Sequence, residues 1–398
     1  MIVGIVGKPN VGKSAFFRAL TLAHAESGNF PFTTINANSA IGYVKVKDPA
    51  IDFSKHSNPR EGYVIGDFRF VPIEVIDVAG LVPGANEGKG LGNKFLDDLR
   101  QADVLIHVID LSGATNEKGE VCPINSYDPA NDVKFLEEEI DLWFFNIIKR
   151  NWDSISKKIR LQDMKMEVAF GMVLSGLKIN ENQILSAIST LNLNKTNIEN
   201  NLFEFSKELR RITKPMIIAA NKCDVLQENN LFKKKIEDLR YKFPKYTIIP
   251  VTAEYEWNLK QAQKAGLIEY IPGDSVFSII DESKLKDIQI KGLAKIKEVL
   301  ANMESTGVQE SINSAVFDLL KMKPIFPGGV SKLEDSFGNV LPDCFLMDNS
   351  ATALDFAYRL HTDFGKNFIK AINVRTKRMV GKEHVLDFGD IVEIVSGK

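Results

Sequence analysis

Short, largely β-branched apolar runs recur along the first two thirds of the chain: Ile2–Val6, the run ending at Val75-Ile76, Val104–Ile109, Met216–Ala220 and Thr247–Val251. They are apolar on successive residues rather than alternate ones, the pattern of strands buried on both faces of a parallel sheet. Between them the apolar spacing lengthens to three or four residues. Phe16, Phe17, Leu20 and Ala23 predict a helix directly after the first strand. Val133, Leu136, Ile140, Phe144, Ile147, Trp152, Ile155 and Ile159 predict a long helical stretch. Glu137, Glu138 and Glu139 come early in it and Lys149, Arg150, Lys157, Lys158 and Arg160 late, as the helix macrodipole favours. Further helices are expected at Ile184–Leu193, Ile198–Leu209, Leu285–Met303 and Val308–Leu320. The roughly one hundred residues between Asp110 and Met216 exceed an ordinary connection and predict an α-helical insertion resembling a coiled-coil hairpin. Pro324-Ile325-Phe326-Pro327-Gly328-Gly329 predicts a domain boundary. Beyond it Thr352 caps a short helix through His361, and strand-like runs Phe368–Val374 and Ile391–Val395 follow.

The composition, 44% hydrophobic and 26% charged, excludes whole-chain disorder. A net charge of −2 supplies no global field toward nucleic acid or membrane, so any basic surface must be local. Cys122, Cys223 and Cys344 are far apart and without CxxC spacing, which suits neither a disulfide framework nor a zinc cluster. No apolar run approaches a membrane span, and a soluble, cytoplasmic protein is expected, with no membrane partner.

The chemistry is concentrated at the strand ends. Gly7-Lys8-Pro9-Asn10-Val11-Gly12-Lys13-Ser14 matches G-x-x-x-x-G-K-[ST] between a strand and a helix, and the stretch through Ala15 is the expected phosphate cradle. Its glycines let backbone N–H groups converge on phosphate oxygens at a helix N-terminus. Lys13 is expected to reach the β/γ-phosphates and Ser14 to ligate Mg²⁺. Asp77-Val78-Ala79-Gly80 ends another strand: Asp77 is the second expected Mg²⁺ residue, and the Gly80 amide is expected at the γ-phosphate. Asn221-Lys222-Cys223-Asp224 ends a further one. A carboxylate fixed at Asp224 can accept from both N1–H and N2–H₂ of guanine, a donor pair adenine lacks. Asn221 is expected to brace the loop, the Lys222 stem to cover the purine face, and a backbone N–H of Thr252-Ala253-Glu254 to meet O6.

Phe30-Pro31-Phe32-Thr33-Thr34-Ile35, Asp77-Val78-Ala79-Gly80-Leu81-Val82-Pro83-Gly84-Ala85 and Gly88-Lys89-Gly90-Leu91-Gly92 resemble the Obg-related GTPases, most closely the Obg-like/YchF branch in its archaeal form. The resemblance implies that Thr34, rather than Thr33, is the switch threonine that closes on Mg²⁺. Leu81 stands where many GTPases carry a water-orienting glutamine, so slow intrinsic hydrolysis is expected and no catalytic residue is assigned. G-x-P-N-x-G-K-S resembles the loops of cation-dependent relatives, which implies K⁺ held by Asn10; the alternative is an asparagine that stabilises its own turn. His107 is either catalytic or a core histidine. The YchF branch departs from N-K-x-D and is noted for favouring ATP, whereas this chain retains Lys222 and Asp224, which favours guanine.

Ala351–His361 with Gly389–Val395 resembles the TGS domain, a small β-grasp module. Lys366, Lys370, Arg375, Lys377, Arg378 and Lys382 form a basic stripe suited to phosphates, and the family association implies RNA or ribosomes as partners. The expected architecture is an α/β P-loop NTPase (Ras-like) doubly wound sheet with an α-helical insertion and a C-terminal β-grasp (ubiquitin-like) TGS domain. It divides as 1–127, first part of the G domain; 128–212, insert; 213–322, second part of the G domain; and 323–398, TGS. The expected activity is a GTP-hydrolysing switch taking GTP/GDP and Mg²⁺; the rival reading is a nucleotide-regulated RNA- or protein-binding module with incidental turnover.

Overall fold

The computed structural model describes residues 1–22, 38–80 and 92–397. The nucleotide-domain elements begin with β1 (Ile2–Val6), α1 (Lys13–Thr21), β2 (Ser39–Lys47), β3 (Tyr63–Ile65), β4 (Phe68–Asp77), α2 (Gly92–Gln101) and β5 (Val104–Asp110). Then come α3 (Ala130–Arg150), α4 (Trp152–Leu161), α5 (Met166–Leu174), α6 (Glu181–Thr190) and α7 (Leu202–Thr213). The chain returns through β6 (Met216–Asn221), α8 (Leu231–Lys242), β7 (Ile248–Pro250), α9 (Ala253–Lys264), the β8 (Ile268–Tyr270)–β9 (Phe277–Ile279) hairpin, α10 (Asp287–Met303) and α11 (Val308–Asn313).

The main sheet has the order β2-β4-β1-β5-β6-β7, with β3 also on β4. β1, β4, β5, β6 and β7 are mutually parallel, and β2 is antiparallel to β4. Both faces are buried, as the uninterrupted apolar runs require. Val3, Ile5, Val104, Ile106, Val108, Ile217 and Ala219 pack toward α1 and α11 on one side. Val6, Leu105 and Met216 pack with α2 and the inserted helices on the other. The outer edge of β2 is closed by side chains rather than by a strand. Asn313 donates to Lys45 O (3.0 Å) and accepts from Lys45 N (2.9 Å), and Gln309 donates to Tyr43 O (2.9 Å), which occupies the middle of that edge.

The insertion is a helical bundle, the 21-residue α3 with the shorter α4 to α7, rather than the expected coiled-coil hairpin. The apolar spacing breaks at Asn151 and again before Met166, so α3 to α7 fold back around one core that includes Trp143, Phe144, Phe170 and Phe205. That core is continuous with Phe95, Leu96 and Leu99 of α2. Lys214, after α7, donates to the backbone carbonyls of Arg100 (3.2 Å) and Ala102 at the end of α2, its ammonium pushed down to about 8 by burial. The helix C-terminus is a favourable place for that charge.

The second sheet comprises β10 (Lys323–Pro327), β11 (Phe345–Met347), β12 (Phe368–Asn373), β13 (Arg378–Val380) and β14 (Ile391–Ser396), in the order β11-β10-β14-β12-β13, with α12 (Ala353–Leu360) and α13 (Thr362–Lys366). The Pro-Gly segment expected as a boundary is itself an interior strand, β10. Its N–H donors to the β14 side come from Phe326 (to Asp390 O, 2.9 Å) and Gly328 (to Val392 O, 3.2 Å). Pro324, in the same phase, precedes the β14 register, and Pro327, in the opposite phase, lies beyond the β11 register, so neither takes the place of a ladder donor. Thr352 caps α12 through a reciprocal bond with Asp355. This module docks on the nucleotide domain. The buried Arg69 of β4 donates to the Leu341 and Pro342 carbonyls, and Arg60 pairs with Asp335 (2.8 Å) and Asp343 (3.0 Å). Arg375 departs from the expected basic stripe: its guanidinium pairs with Asp52 (2.7 Å), across the junction.

Candidate functional site

The parallel strands β1, β4, β5 and β6 end together at one edge of the sheet, where open α/β folds bind ligands. Gly7 to Gly12 turn from β1 into α1, whose N-cap is Gly12 at φ +91°. A side chain there would be strained, and a Cβ would also lie 2.2 Å from Asn221 Nδ2. Val11 is buried and anchors the loop, Ala15 is half-buried, and Ser14 is exposed at the start of α1. The first turn of a helix carries unpaired N–H groups and partial positive charge, so the loop can hold phosphate oxygens.

The Lys13 ammonium pairs with the Asp77 carboxylate, which brings the phosphate-binding lysine and the strand-end aspartate together. Gly80 lies against the Pro9 ring, on the same side of the loop. Ser14 hydroxyl and Asp77 carboxylate are hard oxygen donors, suited to Mg²⁺, which binds few protein ligands and keeps water and phosphate oxygens around it. Thr33 and Thr34 with the rest of the Phe30–Ile35 motif, Ala23, and Leu81 to Leu91 lie outside the described residues.

At the other end of the cleft, Asn221 bridges two loops. Its Nδ2 donates to Val11 O (2.9 Å) and its Oδ1 accepts from Ala253 N–H (3.1 Å). Asp224 is half-buried, and its Oδ1 accepts from Thr252 Oγ1 (2.9 Å). Among the candidate O6 donors, the Thr252 N–H is directed to Thr306 O (2.9 Å) and that of Ala253 to Asn221. Glu254, in the first turn of α9, has no intrahelical acceptor for its N–H. Lys222, at φ +66°, lays its stem back across the cleft so that Nζ reaches Asn10 O (2.9 Å) and Asp110 Oδ2 (2.8 Å).

Two residues of the loop are turned elsewhere than to phosphate. The Lys8 side chain is only 4% exposed and bonds Asp132 Oδ1 (2.8 Å) and Thr115 O (2.9 Å), with the Tyr127 ring 3.9 Å away. Only its backbone remains for a nucleotide. Asn10 Nδ2 donates to Gly119 O (2.9 Å), so its side chain ties the phosphate loop to a turn 109 residues away rather than stabilising its own turn. His107 is buried in β5, its imidazole pushed down to about 3 by burial and then by Lys8, and Nδ1 has no partner among the described residues. It is a neutral core residue.

Thr115 and Asp132, which hold Lys8, and Asp110, which holds Lys222, are partners of the site that the motifs do not reveal. Asp110 carries a usable signal, a carboxylate ending an apolar strand, and it accepts from Ser112 N (3.0 Å) and Thr115 Oγ1 (3.1 Å) besides Lys222. Asp132 belongs to the first turn of α3, so the insertion touches the phosphate loop directly through Lys8. Asp132→Ala leaves a buried ammonium without its counter-ion and is expected to lower stability by about 3–5 kcal/mol, measured by equilibrium urea unfolding.

Fold and site together define a P-loop nucleoside triphosphatase with a G-type nucleotide domain. Residues 2–140 match the family described as 50S ribosome-binding GTPase, residues 219–329 the Obg-like GTPase YGR210-like, G4 motif-containing domain, and residues 337–396 the TGS domain. An uncharacterized GTP-binding protein of Methanocaldococcus jannaschii is 47% identical over 99% of both chains. The crystal structure of a GTP-binding protein from Pyrococcus horikoshii is 40% identical, covers 100% of each chain and has a TM-score of 0.79. The ribosome-binding ATPase YchF of Buchnera aphidicola is 28% identical over 98% of each chain. This chain belongs to the Obg-like/YchF family of P-loop GTPases and is a nucleotide-binding switch protein. Among the described residues no helix is long and apolar enough to cross a membrane.

Proposed function

We propose that this chain hydrolyses GTP and that its nucleotide state sets its engagement with ribosomes or RNA. The observation that carries the guanine reading is Asp224, a carboxylate oriented by Thr252 beside the loop that Asn221 braces. The Buchnera relative is named an ATPase, but a carboxylate facing adenine would lose its donor pair. Ser14, Asp77 and Thr34 would hold Mg²⁺, which would supply charge neutralisation at the β- and γ-phosphates. Lys13 leaves Asp77 for the phosphates when triphosphate enters, so the ion pair between them marks the two ends of one exchange. Contacts of Thr34 and Gly80 with the γ-phosphate order the loops on either side, and hydrolysis releases them. Asn10 retains its Oδ1 for a K⁺ ion, since the Gly119 carbonyl engages only Nδ2.

Lys377 and Arg378, exposed in the turn before and at the start of β13, belong to the stripe and, unlike Arg375, form no ion pair with the nucleotide domain among the described residues. They are suited to phosphate contacts. One experiment addresses the whole reading: single-turnover GTP hydrolysis in K⁺ or Na⁺, with and without ribosomes, alongside ribosome pelleting with GTP or GDP. Stimulation by ribosomes, faster turnover in K⁺, and weaker pelleting of Lys377→Glu/Arg378→Glu are expected. Unstimulated turnover with intact binding favours a nucleotide-regulated binding module, the reading that Leu81 in place of glutamine supports.

A further inference from the structure

The residue that reads the base stands at the end of a buried polar chain. Asp224 is oriented by Thr252 Oγ1, and the Thr252 N–H is held by Thr306 O (2.9 Å). Thr306 is fully buried, and its hydroxyl donates to Glu256 Oε2 (2.5 Å). The same oxygen accepts from Tyr270 OH (2.7 Å). Glu256 lies in the first turn of α9 and is also fully buried, with Lys260 3.6 Å away one turn later. Lys260 Nζ donates to Ala19 O (2.8 Å), in the last turn of α1. Gly307, at φ +75°, presses the Thr306 turn against Pro250 O, where a Cβ would fall 2.0 Å away. Beyond Asp224 and Thr252, this polar chain includes none of the residues proposed to contact the nucleotide. It nevertheless ties the helix that carries the phosphate loop to the loop that carries the base reader.

A carboxylate with no exposed surface is costly to bury unless its partners are fixed. Packing α9 against the sheet needs only an apolar side chain at this position. The buried glutamate instead gathers donors from α9, the β8–β9 hairpin and the turn before α11 onto one point directly behind Thr252. We infer that Thr306 and Glu256 are positioning residues for purine selection: they fix Thr252, and through it the Asp224 carboxylate, at the angle that accepts both guanine donors. This rests on the proposed reading of Asp224 as the guanine contact, and deepens it by naming what sets its discrimination.

Thr306→Val removes the hydroxyl at nearly constant volume and keeps the backbone bond to Thr252; Thr306→Ser restores the hydroxyl. Calorimetry on nucleotide-stripped protein would compare GDP with IDP, which lacks the 2-amino donor, and with ADP. Wild type is expected to favour GDP over IDP. In Thr306→Val that preference is expected to shrink about tenfold, the scale of one hydrogen bond to a charged group, with IDP and ADP affinities changing less than threefold. Thr306→Ser is expected to recover the preference. Equal losses for all three nucleotides, a preserved GDP/IDP ratio in Thr306→Val, or no recovery with serine would overturn the inference. A wild type that does not separate GDP from IDP overturns the guanine reading itself, a different failure visible before any variant is made.

Discussion

Lys13→Ala is expected to reduce kcat/KM for nucleoside triphosphate hydrolysis by about 10²–10³-fold, the loss typical of removing one charge-stabilising donor from a preorganised site. The ammonium stands at the head of α1 and is 13% exposed in its pair with Asp77, so it is already partly desolvated and within reach of the strand-end carboxylate. Arginine would keep the charge but present a planar fork rather than a compact point, and Lys13→Arg is expected to recover little of the lost rate. Neither variant disturbs the buried anchor Val11 or the Asn221 bridge, so melting temperatures should stay within a few degrees of wild type. Retained turnover in Lys13→Ala would show that phosphate is held elsewhere.

Asp224→Asn carries the second large effect. The amide keeps one acceptor and replaces the other with a donor, so it loses one charge-assisted bond to guanine and opposes a donor to a donor. A loss of ~3–4 kcal/mol, about 10²–10³-fold in GTP affinity, is expected. Xanthine carries an acceptor at C2, and xanthosine triphosphate should bind Asp224→Asn better than GTP does. Competition against a fluorescent nucleotide measures both. If the order of GTP and xanthosine triphosphate does not change, Asp224 does not read the purine edge.

The elements on which those side chains stand were legible because their signals are local. Ile2–Val6, Val104–Asp110 and Met216–Asn221 are buried on both faces, and such strands leave little room for polar residues. The phosphate loop and N-K-x-D are likewise contiguous, so residue type and spacing were enough. β2 carries glycine and lysines and has no uninterrupted apolar run, because α11 completes its edge from far along the chain. The prolines of β10 read as a boundary because proline is rare in strands, and only pairing with β14 and β11 shows that their missing donors are not needed. The same reason hid the partners of the site. Lys8 and Asp132 are 124 positions apart and Glu256 and Thr306 are 50 apart, and no local pattern ties either pair. Arg375 looked like its basic neighbours until the docked module placed Asp52 beside it.

The two amides of α11 that finish the rim of the large sheet set a lower limit on what can be cut away. A fragment stopped at Met303 would keep the side chains proposed to contact the nucleotide but lose Thr306 behind Thr252, the buried Val308 and Ile312, and the amides on Tyr43 and Lys45. The outer edge of Ser39–Lys47 would become a template on which two molecules can zip together. The smallest well-behaved nucleotide-binding piece therefore extends past Asn313 to include the buried Ala315 and Val316, and the stretch leading to the TGS module doubles as a guard against self-association.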